Sequence, residues 1–287
     1  MWLAISDINR KELVTSSLLA DSYTQCPLAN SKEFPPFLIN LAGHLNLNSW
    51  LPLLPDEMLV AKEQQRVGAF LPNFKLILPR GDITSCVDKW EMYLAFRDDG
   101  IPTPYTSIDH RLPDGSDLII KPRIATGSKG IRSIQRPEAI TFAALLTDGY
   151  VIQEKCFAPE LTIDAFYDPN GDYQVATVRE RIEVKLGVTT KARVFFDDEL
   201  TDLAARVARC LSLEGSFCFQ VMASQRGWLV TDVNPRPGGA SAMCAVVGQD
   251  FFAATFAYHW NEDWSQFLPP TRGEHFVTRQ YSEFLML

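Results

Sequence analysis

The chain has 287 residues, 46% apolar and 22% charged, long enough to bury a real core and to hold two or three small lobes. A net charge of -8, with no basic run and no aromatic-basic patch, argues against a nucleic-acid partner, and no apolar stretch approaches membrane-spanning length. The apolar part of MWLAISDINRKEL is too short for a signal peptide, so a cytoplasmic location is expected; the six cysteines show no CxxC and fit reduced, packed thiols.

Residues 1 to about 80 read as a small α/β lobe, with strands at WLAIS, SWLPLL and FKLIL and a helix over residues 56–70. No glycine-rich strand-to-helix turn opens it, which removes the main fingerprint of a dinucleotide site. Thr84 or Ser85 is placed to cap a helix over residues 86–99 that Gly100 and Pro102-Thr103-Pro104 terminate. Lys89 falls in its first turn, where the macrodipole disfavours a cation; it faces an anion or is an ordinary surface lysine.

DLIIKP predicts a short apolar strand that ends at Lys121 and Pro122, before a loop containing Gly127, Ser128, Lys129 and Gly130. Glycines there let backbone amides turn toward phosphate, although a plain hairpin turn fits equally well. A helix over 137–146 and a strand over 150–155 follow. Glu160, Thr162 and Asp164 then share one face of a strand, and Arg179 and Arg181 share a face of the next. These arginines clamp an anionic substrate or form a cross-strand salt-bridge ladder.

Residues 197–213 carry Leu200, Leu203, Ala204, Val207 and Leu211 at helical spacing and predict a core-packed amphipathic helix. The segment GSFCFQVMASQRGWLVTDVNPRPGGASAM is the most informative in the chain. Its two strands and polar turn set Gln220 across a hairpin from Asp232, with Asn234 and Arg236 on the same face. One carboxylate and two amides beside a guanidinium suit magnesium bound together with a nucleotide; the alternative is an edge hairpin with a solvated polar face.

Taken in order, DKWEMYLAFRDDGIPTP, LIIKPRIATGSKG, VIQEKCFAPELTIDAF, VRERIEVKLGVTTKA and FCFQVM through DVNPRPGG resemble the ATP-grasp superfamily, in particular its carbamoyl-phosphate-synthase-like carboxylate-amine ligases. The resemblance implies an α/β (α+β) ATP-grasp fold: a shortened pre-ATP-grasp lobe over 1–83, a linking helix over 84–116, a lid subdomain over 117–156 and a C-terminal subdomain over 157–287. It implies ATP and one or two Mg2+ as cofactors, with Mn2+ as a substitute. Lys89, Lys121 and the loop Gly127, Ser128, Lys129 and Gly130 would contact phosphates. Glu154, Lys155, Cys156 and Phe157 would edge the adenine, and Glu160 would receive the ribose. Gln220, Asp232 and Asn234 would hold metal, while Arg236, Arg179 and Arg181 would serve the reacting groups.

The implied activity is ADP-forming ligation of a carboxylate and an amine through an acyl phosphate. The other readings are an ATP-binding subunit completed by a partner and a small-molecule kinase. Partners are small-molecule carboxylate and amine substrates, without nucleic acid or membrane. The short N-terminal lobe leaves room for a second copy or a partner protein. Two departures from the family pattern stand out: the short lobe, and Asp232 where many relatives carry glutamate.

Overall fold

The computed structural model describes residues 2–109, 111–112, 114, 117–124, 130–143, 149–170, 173–185 and 188–286. They fall into two units, residues 1–77 with 280–287, and residues 78–279.

The first unit contains two parallel strand pairs. Strands β1 (Ala4–Asp7) and β2 (Ser22–Gln25) form one. Helix α1 (Phe34–His44) precedes β3 (Ser49–Trp50), helix α2 (Pro55–Arg66) follows it, and β3 pairs with β4 (Lys75–Leu76). Pro55 opens α2 with the φ a first turn needs, and Glu57 reaches back to accept from the Leu53 and Leu54 amides at 2.8 and 3.1 Å.

In the second unit, α3 (Ile83–Val87) and α4 (Lys89–Asp99) replace the single predicted helix. Asp82 caps α3, and Asp88, held in an extended conformation, caps α4 by accepting from the Trp90 and Glu91 amides. Arg123 grips the same Asp88 carboxylate through Nε and Nη2, so a long-range partner fixes the break that local cap chemistry placed at Thr84 or Ser85. Gly100, at φ 71°, closes α4 in the left-handed region as expected.

A four-stranded sheet in the order β5 (Thr106–Ser107), β8 (Tyr150–Glu154), β6 (Asp117–Pro122), β7 (Arg132–Gln135) carries α5 (Arg136–Ala143) and a small core of Leu118, Ile120, Ile134, Ala139 and Ile152. The larger sheet has six strands. Its order is β13 (Gly227–Asn234), β12 (Gly215–Ser224), β9 (Phe157–Asp168), β10 (Tyr173–Lys185), β11 (Val188–Phe195), β14 (Glu274–Thr278).

Alternation along these strands sorts their residues cleanly. Leu161, Ile163, Val178, Phe217, Phe219 and Val221 point to one face and pack with α4 and α6 (Asp198–Cys210). Helix α6 starts where Asp197 accepts from the Leu200 amide and buries the leucine and valine stripe predicted for it. Helices α7 (Ala242–Val246) and α8 (Phe251–Trp260) complete the unit, with Phe166, Cys244 and Phe251 in a second cluster. All six cysteines are free thiols, and among the described residues no helix is long and apolar enough to cross a membrane.

Candidate active site

The opposite face of the six-stranded sheet is polar, and register sets its order. Asp232 pairs with Gln220, Gln220 with Thr162, and Thr162 with Arg179, forming one row across four strands. The neighbouring row runs Asn234, Cys218, Asp164, Thr177. Gln220 therefore sits across the hairpin from Asp232 as the sequence predicts. A bulge displaces the ladder between Gln220 and Val221, so Val221 pairs with Val230 and Thr231 is the extra residue. The Thr231 carbonyl accepts from Lys121 Nζ at 3.1 Å, which brings the four-stranded sheet's lysine to this hairpin.

Asp232, Gln220, Thr162, Arg179, Asn234, Cys218 and Lys121 line a cavity of ≈ 550 Å³, within the size range of small-molecule sites. Among the described residues six cations reach it, Lys89, Lys121, Arg179, Arg181, Arg236 and Arg279, against three carboxylates, Glu154, Glu160 and Asp232. Such a lining favours an anionic ligand. Lys89 is buried, with Nζ 3.7 Å from Asp232 Oδ1 and 3.5 Å from the Arg123 carbonyl, so its position in the first turn of α4 faces the cavity rather than solvent. Lys121 is 5% exposed, and burial pulls its ammonium down to about 8, with Asp232 opposing the shift and Lys89 adding to it. Two buried ammonium groups without a bound anion repel one another, and a phosphate between them would relieve both.

The acceptor set beside them is spare. Asn234 Nδ2 donates to Asp232 Oδ2 at 3.1 Å, and Gln220 Nε2 donates to Glu160 Oε1 at 3.1 Å. This leaves one carboxylate and amide oxygens on a single face. That donor chemistry fits Mg2+ held jointly with phosphate oxygens, since magnesium so bound needs only one or two carboxylates. No cluster of three or more His, Cys, Asp or Glu suited to a metal occurs among the described residues, so a site of all-acidic type is absent from them.

At the other end of the cavity, Glu154 and Cys156 line the wall. Arg226, at the tip of the β12–β13 hairpin, bonds the Glu154 carboxylate and lies over the Tyr105 ring at 4.3 Å. Lys155, 3.8 Å from Asp117, and the exposed Phe157 are not in the lining. Gly130 has φ 77° and packs on Pro122, also outside the lining, while Gly127, Ser128 and Lys129 lie outside the described residues.

The arginines take different places. Arg181 Nη1 donates to Glu160 Oε1 at 2.9 Å, while its buried Nε finds no partner among the described residues. Arg179 Nε donates to Asp164 Oδ2 at 2.6 Å, and both side chains are buried. Burial would raise the Asp164 carboxyl, but the Arg179 charge and hydrogen bonds from Arg179, Ser241 and Gly238 outweigh it and hold it below the usual carboxylate range. Both arginines thus occupy the salt-bridge ladder that strand spacing left open. Arg236 donates to the Pro237 carbonyl at 2.9 Å and approaches Asn234 Oδ1 at 3.5 Å.

Sequence reasoning overlooked Arg279 and Cys218. Arg279, just past β14, reaches the cavity from the far edge of the sheet, 43 positions beyond Arg236 (279 − 236), and no local motif marks it. Cys218 lies on the lining face of β12, where the parity that sets Gln220 and Met222 on one face would have found it.

A cation-rich cavity between a small sheet carrying a buried lysine and a larger sheet carrying an Asp-Asn-Arg strand end is suited by its charge to a polyanionic ligand. The family model for the ATP-grasp domain matches residues 86–240, just over half of the chain, and the chain belongs to the ATP-grasp family. The fold is that of solved relatives. Biotin carboxylase from Campylobacter jejuni superposes with a TM-score of 0.72 at 15% identity, over 96% of this chain and 69% of that one. The biotin carboxylase domain of Hydrogenobacter thermophilus 2-oxoglutarate carboxylase, solved with MgADP and bicarbonate, gives 0.70 at 15% identity, over 91% and 65%. An L-amino acid ligase from Bacillus licheniformis gives 0.59 at 14%, over 80% and 60%. No curated protein sequence matches. The chain thus spans 60 to 69% of the length of these three relatives.

Proposed function

We propose that this chain is an ATP- and Mg2+-dependent, ADP-forming ligase that activates a carboxylate as an acyl phosphate and joins it to an amine. The observation that carries the reading is the convergence of Lys89, Lys121 and Arg236 on the same cavity as Gln220, Asp232 and Asn234. Membership of the ATP-grasp family supports ATP-dependent ligase chemistry. The amino acid ligase and the bicarbonate-bound carboxylase among the structural relatives support a carboxyl group as the species activated.

A carboxylate is a poor electrophile, so it needs a leaving group. Its oxygen attacks the γ-phosphorus of ATP, a new P–O bond forms, and the bond to the β-phosphate oxygen breaks to release ADP. The amine then adds to the acyl carbon and forms the C–N bond, phosphate departs with the C–O bond pair, and the amine's proton passes to solvent. Lys89 and Lys121 hold phosphate oxygens, and Arg236 balances charge on the transferring group. Gln220, Asp232 and Asn234 would hold magnesium, which when bound neutralises phosphate charge. Glu154 and Cys156 edge the base, Glu160 accepts from the ribose, and Arg181 orients the carboxylate.

The test incubates the purified chain with MgATP, hydroxylamine and a panel of carboxylates. Hydroxamate formed together with ADP is the expected result. ADP formation with a stable phosphorylated product and no hydroxamate would make the protein a kinase instead.

A further inference from the structure

The segment that carries Arg236 leaves the sheet through Pro235 and Pro237, neither of which has an amide proton to pair with a neighbouring strand. It turns back over the polar face and reaches Asp164, two strands away from β13. There the Gly238 amide donates to Asp164 Oδ1 at 3.1 Å, the Ser241 hydroxyl donates to the same oxygen, and Cys244 Sγ lies 3.4 Å from Oδ2. Arg179 Nε donates to Oδ2 at 2.6 Å. A Cβ on Gly238 would stand 2.8 Å from Arg179 Nη2 and 2.9 Å from Asp164 Oδ1, so only glycine lets the backbone come this close to the pair.

We propose that Asp164 and Arg179 are positioning residues, a buried ion pair that fastens residues 235–241 to strands β9 and β10 and so aims Arg236 into the cavity. The two charges cancel within the sheet, and the carboxylate's remaining acceptor capacity goes to the segment that follows Arg236. A buried charge pair adds little net stability compared with an apolar pair, but it fixes geometry, which suits a group required within a fraction of an ångström of a reacting phosphate. Arg179 then acts through Asp164 and the turn, not by touching substrate. The catalytic part of this inference rests on the ligase reading; the mechanical part does not.

The experiment compares the full chain with Asp164→Asn and Gly238→Ala, with circular dichroism confirming that both fold. Gly238→Ala strains the same contact while leaving both charges in place, and Arg179→Gln added to Asp164→Asn removes the orphaned cation if the single variant does not fold. Amide hydrogen exchange is expected to rise about tenfold or more in residues 236–241 and to stay unchanged in β9, β10 and β12. MgATP affinity by calorimetry should stay within about threefold of wild type, because Lys89, Lys121 and Asp232 are untouched. Turnover should fall about 100-fold at unchanged KM for ATP.

Unchanged exchange in 236–241 of a folded variant would overturn the proposal, and so would faster exchange spread evenly over the sheet. Loss of turnover and MgATP affinity in parallel would overturn the aiming of Arg236. A wild-type chain that turns over no carboxylate would defeat the ligase reading alone, since the exchange comparison still decides whether the pair is a tie.

Discussion

The two faces of the six-stranded sheet are built from the same strands, yet they solve opposite problems. On one, Phe217, Phe219, Val221 and Ile163 are fully buried against α4 and α6, and nothing but shape is asked of them. On the other, Gln220, Thr162, Asp164 and Arg179 alternate with those residues and must each find a polar partner. The contrast teaches that stability and function are separable here by residue parity: a substitution at one position should damage stability, and its neighbour should damage chemistry.

The sharpest way to break this contrast is at Asp232, the one carboxylate among the proposed metal ligands. Asp232→Ala is expected to reduce ADP formation about 1000-fold or more in a chain that still folds, as circular dichroism would check, since the side chain is partly exposed. A folded variant with undiminished ADP release would remove Asp232 from the mechanism. Phe219→Ala is the mirror image: it should cost about 3–5 kcal/mol in denaturant unfolding, yet leave MgATP affinity of the folded protein unchanged.

Lys121 sharpens the comparison, since it is a buried cation on a functional surface. Its folded-state value of about 8 lies below the ordinary 10.5, so between these values the unfolded chain holds the proton more often than the native one. Stability from this group therefore rises with pH across that window, and the charge-burial penalty is fully present below pH 8. In chemical denaturation, Lys121→Met should flatten the rise from pH 8 to 10 by about 1–3 kcal/mol. MgATP binding should weaken above pH 8 in the wild type and take up a proton there, seen as a buffer-dependent heat of binding.

Much of the site was legible where short-range rules suffice. A turn centred near Arg226 set Gln220 opposite Asp232 in the sequence; the chain in fact turns at Gln225 and Arg226, and the bulge at Thr231 restores that pairing, whereas the amphipathic stripe of α6 needed only its period. What escaped depends on partners distant in the chain. Asp88 breaks α3 from α4 because Arg123 holds it, Glu154 meets Arg226 from 72 positions away, and Arg279 arrives from the opposite sheet edge. The spacing of Arg179 and Arg181 allowed both a ladder and a clamp, and only the position of Asp164 and Glu160 beneath them distinguishes the two.

The bulge at Thr231 has a consequence for how β13 can change. Val233, Val230 and Trp228 all pack in the core, although 233 and 230 differ by an odd number of residues. Thr231 thus works as a phase shift: it lets Asp232 and Asn234 face the cavity at one end of the strand while the other end keeps its apolar side inward. Without the bulge, a regular strand holding the same residues would turn over on one side of Thr231, either lifting Val230 and Trp228 out of the core or driving Asp232 into it. Deleting Thr231 would instead leave a regular strand with the same facing, and what would be lost is the carbonyl that holds Lys121.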